Sequence, residues 1–138
     1  MTRQDDELKK TAPADPQPWQ EDHTKTLMDS VIIDHDWDTA RRVMWDYVGI
    51  VRSDLRLQLA LDRILQMKKT VETLYWKYHL TGDLIELRNI IHVGELIILC
   101  AMSRKESRGL HYTESYPDKN DEVYLKDTVL AGYHDDGE

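Results

Sequence analysis

The stretch DLIELRNIIHVGELIILCAM, residues 83–102, decides the fold. Its apolar residues fall on more than one face of the helix that their spacing predicts, which indicates a central helix packed on two sides. Gly82 supplies a turn before it, and Asp83 is predicted as the N-cap, with Glu86 three residues later as in a capping box. The apolar positions are Leu84, Leu87, Ile90, Ile91, Val93, Leu96, Ile97, Ile98, Leu99 and Ala101.

Two further helices precede this one. Residues 40–51 carry apolar side chains at helical spacing, with Asp36 as the predicted N-cap. The next helix starts after Ser53, a good N-cap, and its apolar residues step by threes and fours for about six turns. Short connections between long helices predict antiparallel neighbours. We therefore expect an all-α fold, an up-down-up three-helix bundle over residues 35–109.

The two ends of the chain are expected to be extended and largely irregular arms. Residues 1–34 form a Pro-rich polar linker, predicted to be mobile to about residue 28, with a possible short strand in SVIID, residues 30–34. Residues 110–138 form an irregular tail with one short strand, predicted at Val123 to Leu130. The arms have little to bury, so the bundle is the expected stable unit.

Composition narrows the class of protein. The 138 residues suit one domain, and a formal net charge of −8 disfavours nucleic-acid binding. The single Cys100 excludes a disulfide within the chain and favours a reducing, cytoplasmic location. No secretory signal is apparent after Met1, and His92, Gly94 and Glu95 interrupt the longest apolar run, so we expect no membrane span.

We predict no catalytic, cofactor-binding or metal residue in this chain. It contains no G-x-G-x-x-G, no phosphate-binding G-x-x-x-x-G-K-[ST] and no H-E-x-x-H. The clusters at residues 34–36 and 134–136 (Asp-His-Asp and His-Asp-Asp) are interpreted as solvated charge, because a metal site needs ligands fixed by a second layer of contacts. His92 is interpreted as a partnered core histidine and Cys100 as an inert thiol.

The segment RKESRGLHYTESYP, residues 104–117, carries more than a helix end requires. A helix C-cap with solvated charges remains one interpretation. The other is a docking face, because arginine and histidine donors suit carbonyls and carboxylates, and tyrosine adds amphipathic area. Gly109 would provide a backbone conformation that a Cβ disfavours. The candidate docking residues are Arg104, Arg108, Gly109, His111, Tyr112 and Tyr116.

Two motifs carry a family resemblance. The pattern S-R-G-x-H at Ser107 to His111 resembles a signature of the succinate dehydrogenase and fumarate reductase flavoprotein family. MWDYVGIVRS, residues 44–53, resembles the L-aspartate oxidase branch of that family, in its C-terminal helical domain. Ser115 departs from the family's usual Asp. Thr113 stands where the dehydrogenases tend to have Arg, which favours the oxidase branch.

The resemblance implies a non-catalytic part of a larger enzyme. The full enzyme would use FAD to oxidise L-aspartate to iminoaspartate for quinolinate and NAD biosynthesis. The expected partner of this chain is the flavin-binding domain, and the isolated chain is expected to bind no FAD and to self-associate through an exposed docking face. Two alternatives stay open: the matching domain of a succinate dehydrogenase or fumarate reductase subunit, and a free-standing helical interaction module whose acidic tails bind a basic partner.

Overall fold

The computed structural model describes residues 25–130. Three long helices follow one another, α1 (Ser30–Tyr47), α2 (Asp54–Lys77) and α3 (Gly82–Ser103), and α4 (Asp121–Tyr124) is a single turn. Two short strands, β1 (Val51–Arg52) and β2 (Tyr112–Thr113), pair in parallel. The all-α prediction is confirmed. Residues 1–24 and 131–138, with most of the predicted arm and the cluster at 134–136, lie outside the described residues.

Side chains cap the starts of all three long helices. Ser53 caps α2 as predicted, accepting a hydrogen bond from the backbone nitrogen of Arg56 at 3.3 Å. The prediction of Asp36 as the first N-cap is wrong, because Asp29 caps α1 and residues 30–34 are helical. Ile33 explains the difference: it lies seven residues before Ala40 on the same buried face, so packing extends the helix backwards.

The start of α3 also differs from the prediction. Thr81, not Asp83, is the N-cap, and its hydroxyl accepts from the backbone nitrogen of Leu84 at 3.3 Å. Gly82 is the first helical residue and has no positive φ. The hydroxyl of Thr81 thus satisfies the free N–H of Leu84, two residues before the N–H of Glu86 that Asp83 would have satisfied as the N-cap.

Ion pairs between α2 and α3 show their relative direction. Glu72 accepts from Arg88 at 2.7 Å and lies 2.8 Å from the Nε2 of His92, while Lys68 Nζ is 3.2 Å from Glu95 Oε2. Residue numbers fall along α2 as they rise along α3, so the helices are antiparallel as predicted. The contact to Glu72 also confirms His92 as a partnered histidine.

The core lies where the three helices meet. Its fully buried side chains come mainly from α2 and α3, and α1 packs across both. Gly94 allows a close approach, because a Cβ at this position would lie 3.3 Å from the Met44 sulfur of α1. The largest buried apolar side chains are Leu57, Ile64, Val71, Leu84, Leu87, Ile91 and Ile98.

The chain beyond α3 has little regular structure and is held mainly by hydrogen bonds. The helix ends at Ser103, and Gly109, with a φ of 58°, lies in a tight turn between Arg108 and His111, whose backbones exchange hydrogen bonds of 2.8 and 3.1 Å. The predicted strand from Val123 to Leu130 is wrong, since its first residues belong to α4 and the rest has no regular structure. No helix within residues 25–130 is long and apolar enough to cross a membrane.

Candidate interdomain contact site

The side chain of Glu106 organises residues 104–117, here called the exit segment. It has no exposed surface, yet it is ionised because four hydrogen bonds converge on its carboxylate. Arg104 Nη1 and two nitrogens of Arg108 donate to it, the latter at 2.7 and 3.0 Å, and the backbone nitrogen of Asn120 donates at 2.9 Å. The hydrogen bonds from Arg108 are the largest cause that lowers the pKa of Glu106, to about 2.

Arg104 fixes the tail that follows the exit segment. Its Nε donates to the Thr128 hydroxyl at 3.0 Å, Nη1 donates to the Tyr124 carbonyl at 3.0 Å, and Nη2 donates to the Lys126 carbonyl. All three guanidinium nitrogens are therefore engaged within the chain. This explains why the tail is not a strand: its carbonyls are satisfied by a side chain and not by a ladder.

Arg108 connects the exit segment to α4. Besides Glu106, its Nη2 donates to the carboxylate of Asp121, the first residue of that helix. Hydrogen bonding to Glu106 is the largest cause that raises the pKa of Arg108. The side chain is thus directed back into the chain.

His111 lies between two arginines in a defined protonation state. Its Nε2 is 3.0 Å from the backbone carbonyl of Arg104, which can only accept, and its Nδ1 is 2.7 Å from Arg52 Nη1, which can only donate. The imidazole is therefore neutral, with its proton on Nε2. Burial first, and then the positive charges of Arg52 and Arg104, lower the pKa of His111.

The last part of the exit segment is tied to β1 and α2. The hydroxyl of Ser107 donates to the Tyr116 carbonyl at 2.8 Å and accepts from the Thr113 nitrogen at 3.0 Å. The phenol of Tyr116 donates to Asp54 Oδ2 at 3.1 Å. The Oγ1 of Thr113 is buried and has no hydrogen-bond partner among the described residues. Tyr112 points outward and keeps 43% of its surface exposed.

The structure thus brings all six predicted docking residues together, but mostly in contact with their own chain. The guanidiniums of Arg104 and Arg108 are occupied, so the outward-facing groups are Tyr112 and the neighbouring Leu110, which is 78% exposed. Sequence reasoning missed Glu106, the group on which both arginines converge. A single acidic residue placed two positions from each of two arginines was the available signal.

Among residues 25–130, no group of histidine, cysteine or acidic side chains could hold a metal ion. A dinucleotide such as FAD needs a helix N-terminus open to its phosphates. The starts of the three long helices are occupied by the side chains of Asp29, Ser53 and Thr81. No step of flavin chemistry is assigned to the described residues.

Residues 38–138 match the family model described as fumarate reductase flavoprotein C-term. The chain belongs to this family. Among curated relatives it is 49% identical over 113 residues to an L-aspartate oxidase of Pseudomonas aeruginosa and 48% identical over 113 residues to one of Acinetobacter baylyi. These alignments cover 82% of this chain and 21% and 20% of the relatives, so the chain spans about a fifth of their length.

A solved structure described as Mycobacterium smegmatis Sdh1 in complex with UQ1 has a related fold. Its TM-score is 0.54 at 29% sequence identity, and the match covers 62% of this chain and 15% of that one. Its sequence identity to this chain is lower than that of the two oxidases. In both comparisons this chain corresponds to a minor part of a much longer polypeptide.

Proposed function

We propose that this chain is the C-terminal helical domain of an FAD-dependent L-aspartate oxidase and acts by packing against the flavin-binding domain. The observation that carries the proposal is the 49% identity to an L-aspartate oxidase over a segment that makes up a fifth of that enzyme. The complete cytoplasmic enzyme would transfer two electrons and two protons from L-aspartate to FAD, giving iminoaspartate for NAD biosynthesis, and oxygen or fumarate would reoxidise the flavin.

Within that enzyme the exit segment would have a supporting role. Glu106 holds Arg104 and Arg108, and these two arginines hold the tail, so the segment presents a fixed surface to its neighbour. Tyr112 and Leu110, the exposed apolar groups of this surface, would contact the flavin domain. A surface fixed before association loses little conformational entropy when it packs.

A chimera tests the proposal directly. The matching segment of the Pseudomonas aeruginosa oxidase is replaced by this chain, and the purified protein is assayed for bound flavin and for peroxide formed from L-aspartate. We expect both, while the isolated chain mixed with FAD gives neither. A folded chimera without flavin or without aspartate oxidation contradicts the proposal. Flavin binding with succinate as the only substrate favours the dehydrogenase alternative.

A further inference from the structure

Helix α3 carries two apolar stripes, and the bundle covers only one of them. The inner stripe is fully buried against α1 and α2. The outer stripe consists of Val93, Ile97 and Cys100, which at i, i+4 and i+7 lie along one line of the helix. Val93 is 52% exposed and Ile97 is 43% exposed. A helix that is apolar on two sides is normally packed on two sides, and residues 25–130 provide no cover for the outer stripe.

The outer stripe forms the floor of a groove. This outer groove has a volume of about 360 Å³, and its walls are almost entirely apolar. Leu96 and Ala101 complete the floor, and Thr128 of the tail lies at its edge. Contiguous apolar grooves on a soluble protein mark contact sites, whereas scattered apolar residues do not.

One end of the outer groove is positively charged. Arg52, Arg104 and the neutral His111 line it. Arg104 uses all its nitrogens within the chain, but Arg52 uses only Nε, on the Gly49 carbonyl, and Nη1, on His111. Its Nη2 has no hydrogen-bond partner among residues 25–130 and is available for an acceptor from outside. In a chain of net charge −8, this local positive charge favours a carboxylate or carbonyl there.

We infer that the outer groove receives a segment of the flavin-binding part of the same polypeptide. That segment would place apolar side chains on Val93 and Ile97 and an acidic side chain or a helix C-terminus opposite Arg52. The inference rests on the proposed function, and it names the surface through which that function operates. The relatives are about four times as long as this chain, so in those proteins a covering segment is available within one polypeptide. The charged groups Arg104, Glu106 and Arg108 of the exit segment are satisfied within the chain, whereas Val93 and Ile97 of the outer groove stay exposed.

The test uses the chimera with the double substitution Val93→Gln and Ile97→Gln. Its matched control is Val31→Gln with Ile32→Gln on α1, where two apolar side chains are 69% and 47% exposed. We expect the groove variant to lose bound flavin about tenfold faster than the parent chimera, a typical effect for residues at the centre of an interface. The α1 variant should keep its flavin. In the isolated chain, both variants should keep the parent thermal midpoint, because all four side chains are exposed.

Each other outcome has a distinct meaning. If the parent chimera holds flavin and the groove variant holds it equally well, the inference fails and the proposed function stands. If the parent chimera folds without flavin, both fail. If the isolated chain sediments as a dimer that the groove substitutions dissociate, while the chimera is unaffected, the occupant is a second copy and the inference is overturned. If the groove substitutions lower the thermal midpoint of the isolated chain as much as that of the chimera, Val93 and Ile97 only stabilise the bundle and the inference fails.

Discussion

The exit segment and the outer groove lie at the same end of α3 but differ in how they satisfy their side chains. The exit segment concentrates charge, yet Arg104, Glu106 and Arg108 form hydrogen bonds within the chain. The outer groove is charged only at the end lined by Arg52 and Arg104, and its apolar residues Val93 and Ile97 remain open to water. The density of charged residues is therefore a poor guide to an interface. Unsatisfied surface is the better guide, whether it is apolar area or a donor such as Arg52 Nη2.

The first prediction tests whether the hydrogen bonds to Glu106 stabilise the exit segment. The substitution is Glu106→Gln. The amide supplies only one acceptor to two guanidiniums and turns an N–H toward them, so the network cannot be satisfied. We expect the thermal midpoint of the isolated chain to fall by roughly 10 °C. Amide exchange should accelerate most in residues 119–128. Circular dichroism and hydrogen–deuterium exchange measure the two effects.

Glu114→Gln is the control for this substitution, because Glu114 lies in the same segment but is exposed. We expect no more than a small change from it. Equal thermal midpoints for the two variants would show that the hydrogen bonds to Glu106 do not stabilise the chain. The contrast between the exit segment and the outer groove would then fail. The stabilising contribution of Glu106 should be complete above pH 4.5 and should be lost as the pH falls toward about 2.

The second prediction compares the inner and outer faces of α3 at adjacent positions. Gly94→Leu forces a side chain against Met44 and Ile64, and overpacking of this kind costs about 1–3 kcal/mol in the free energy of unfolding. Val93→Leu on the outer face should change that free energy by less than about 0.5 kcal/mol. Urea unfolding of both variants checks this, and similar losses would show that the outer face is packed in solution.

The third prediction concerns pH. The pKa of His111 in the folded chain is lowered below its unfolded value of 6.5. Between these two pKa values, the unfolded chain therefore binds more protons at His111 than the folded chain does. The stabilising contribution of the neutral His111 is therefore complete above pH 6.5. It declines as the pH falls from 6.5 toward the pKa of His111 in the folded chain. His111→Gln should flatten this dependence between pH 7.5 and 5.5, measured as thermal midpoints. An unchanged slope would mean that His111 is not the group responsible.

The smallest expected effect is that of Thr113→Val. The hydroxyl of Thr113 is buried without a partner, so replacing it with a methyl removes a desolvation cost and keeps the shape. We expect stability to stay equal or to rise by up to about 1 kcal/mol. Thr39→Val is the control, because the Thr39 hydroxyl donates to the His35 carbonyl at 2.9 Å. A marked loss at Thr113 would reveal a partner for its hydroxyl.

The sequence predicted the parts of the fold that depend on periodicity. The stripes of α2 and α3 extend over six turns, so their existence and antiparallel arrangement followed from spacing and short connections. The helix starts were less accurate. Asp29 and Thr81 cap helices whose predicted caps, Asp36 and Asp83, are equally suitable by residue type, and only the packing of Ile33 distinguishes the two starts of α1.

The candidate site was predicted in position but not in connectivity. The sequence predicted that Gly109 adopts a backbone conformation that a Cβ disfavours, and its positive φ of 58° confirms this. The direction of each arginine was not predictable, because a guanidinium can reach a facing domain or its own chain equally well. Glu106 decides between these for Arg104 and Arg108, and its burial depends on Asn120 and α4, which the sequence had suggested as part of an irregular tail.

The contacts of Arg104 have a consequence for the order in which the chain assembles. Arg104 reaches the tail carbonyls and the Thr128 hydroxyl across only 20 to 24 residues, whereas Arg52 and His111 are 59 residues apart. Closing the shorter loop costs less chain entropy, and local contacts form fast. Once α3 exists, the tail can dock onto it without waiting for α1 and β1. On slow unfolding, residues 119–128 should likewise detach and return as a separate cooperative unit, while the three helices stay folded.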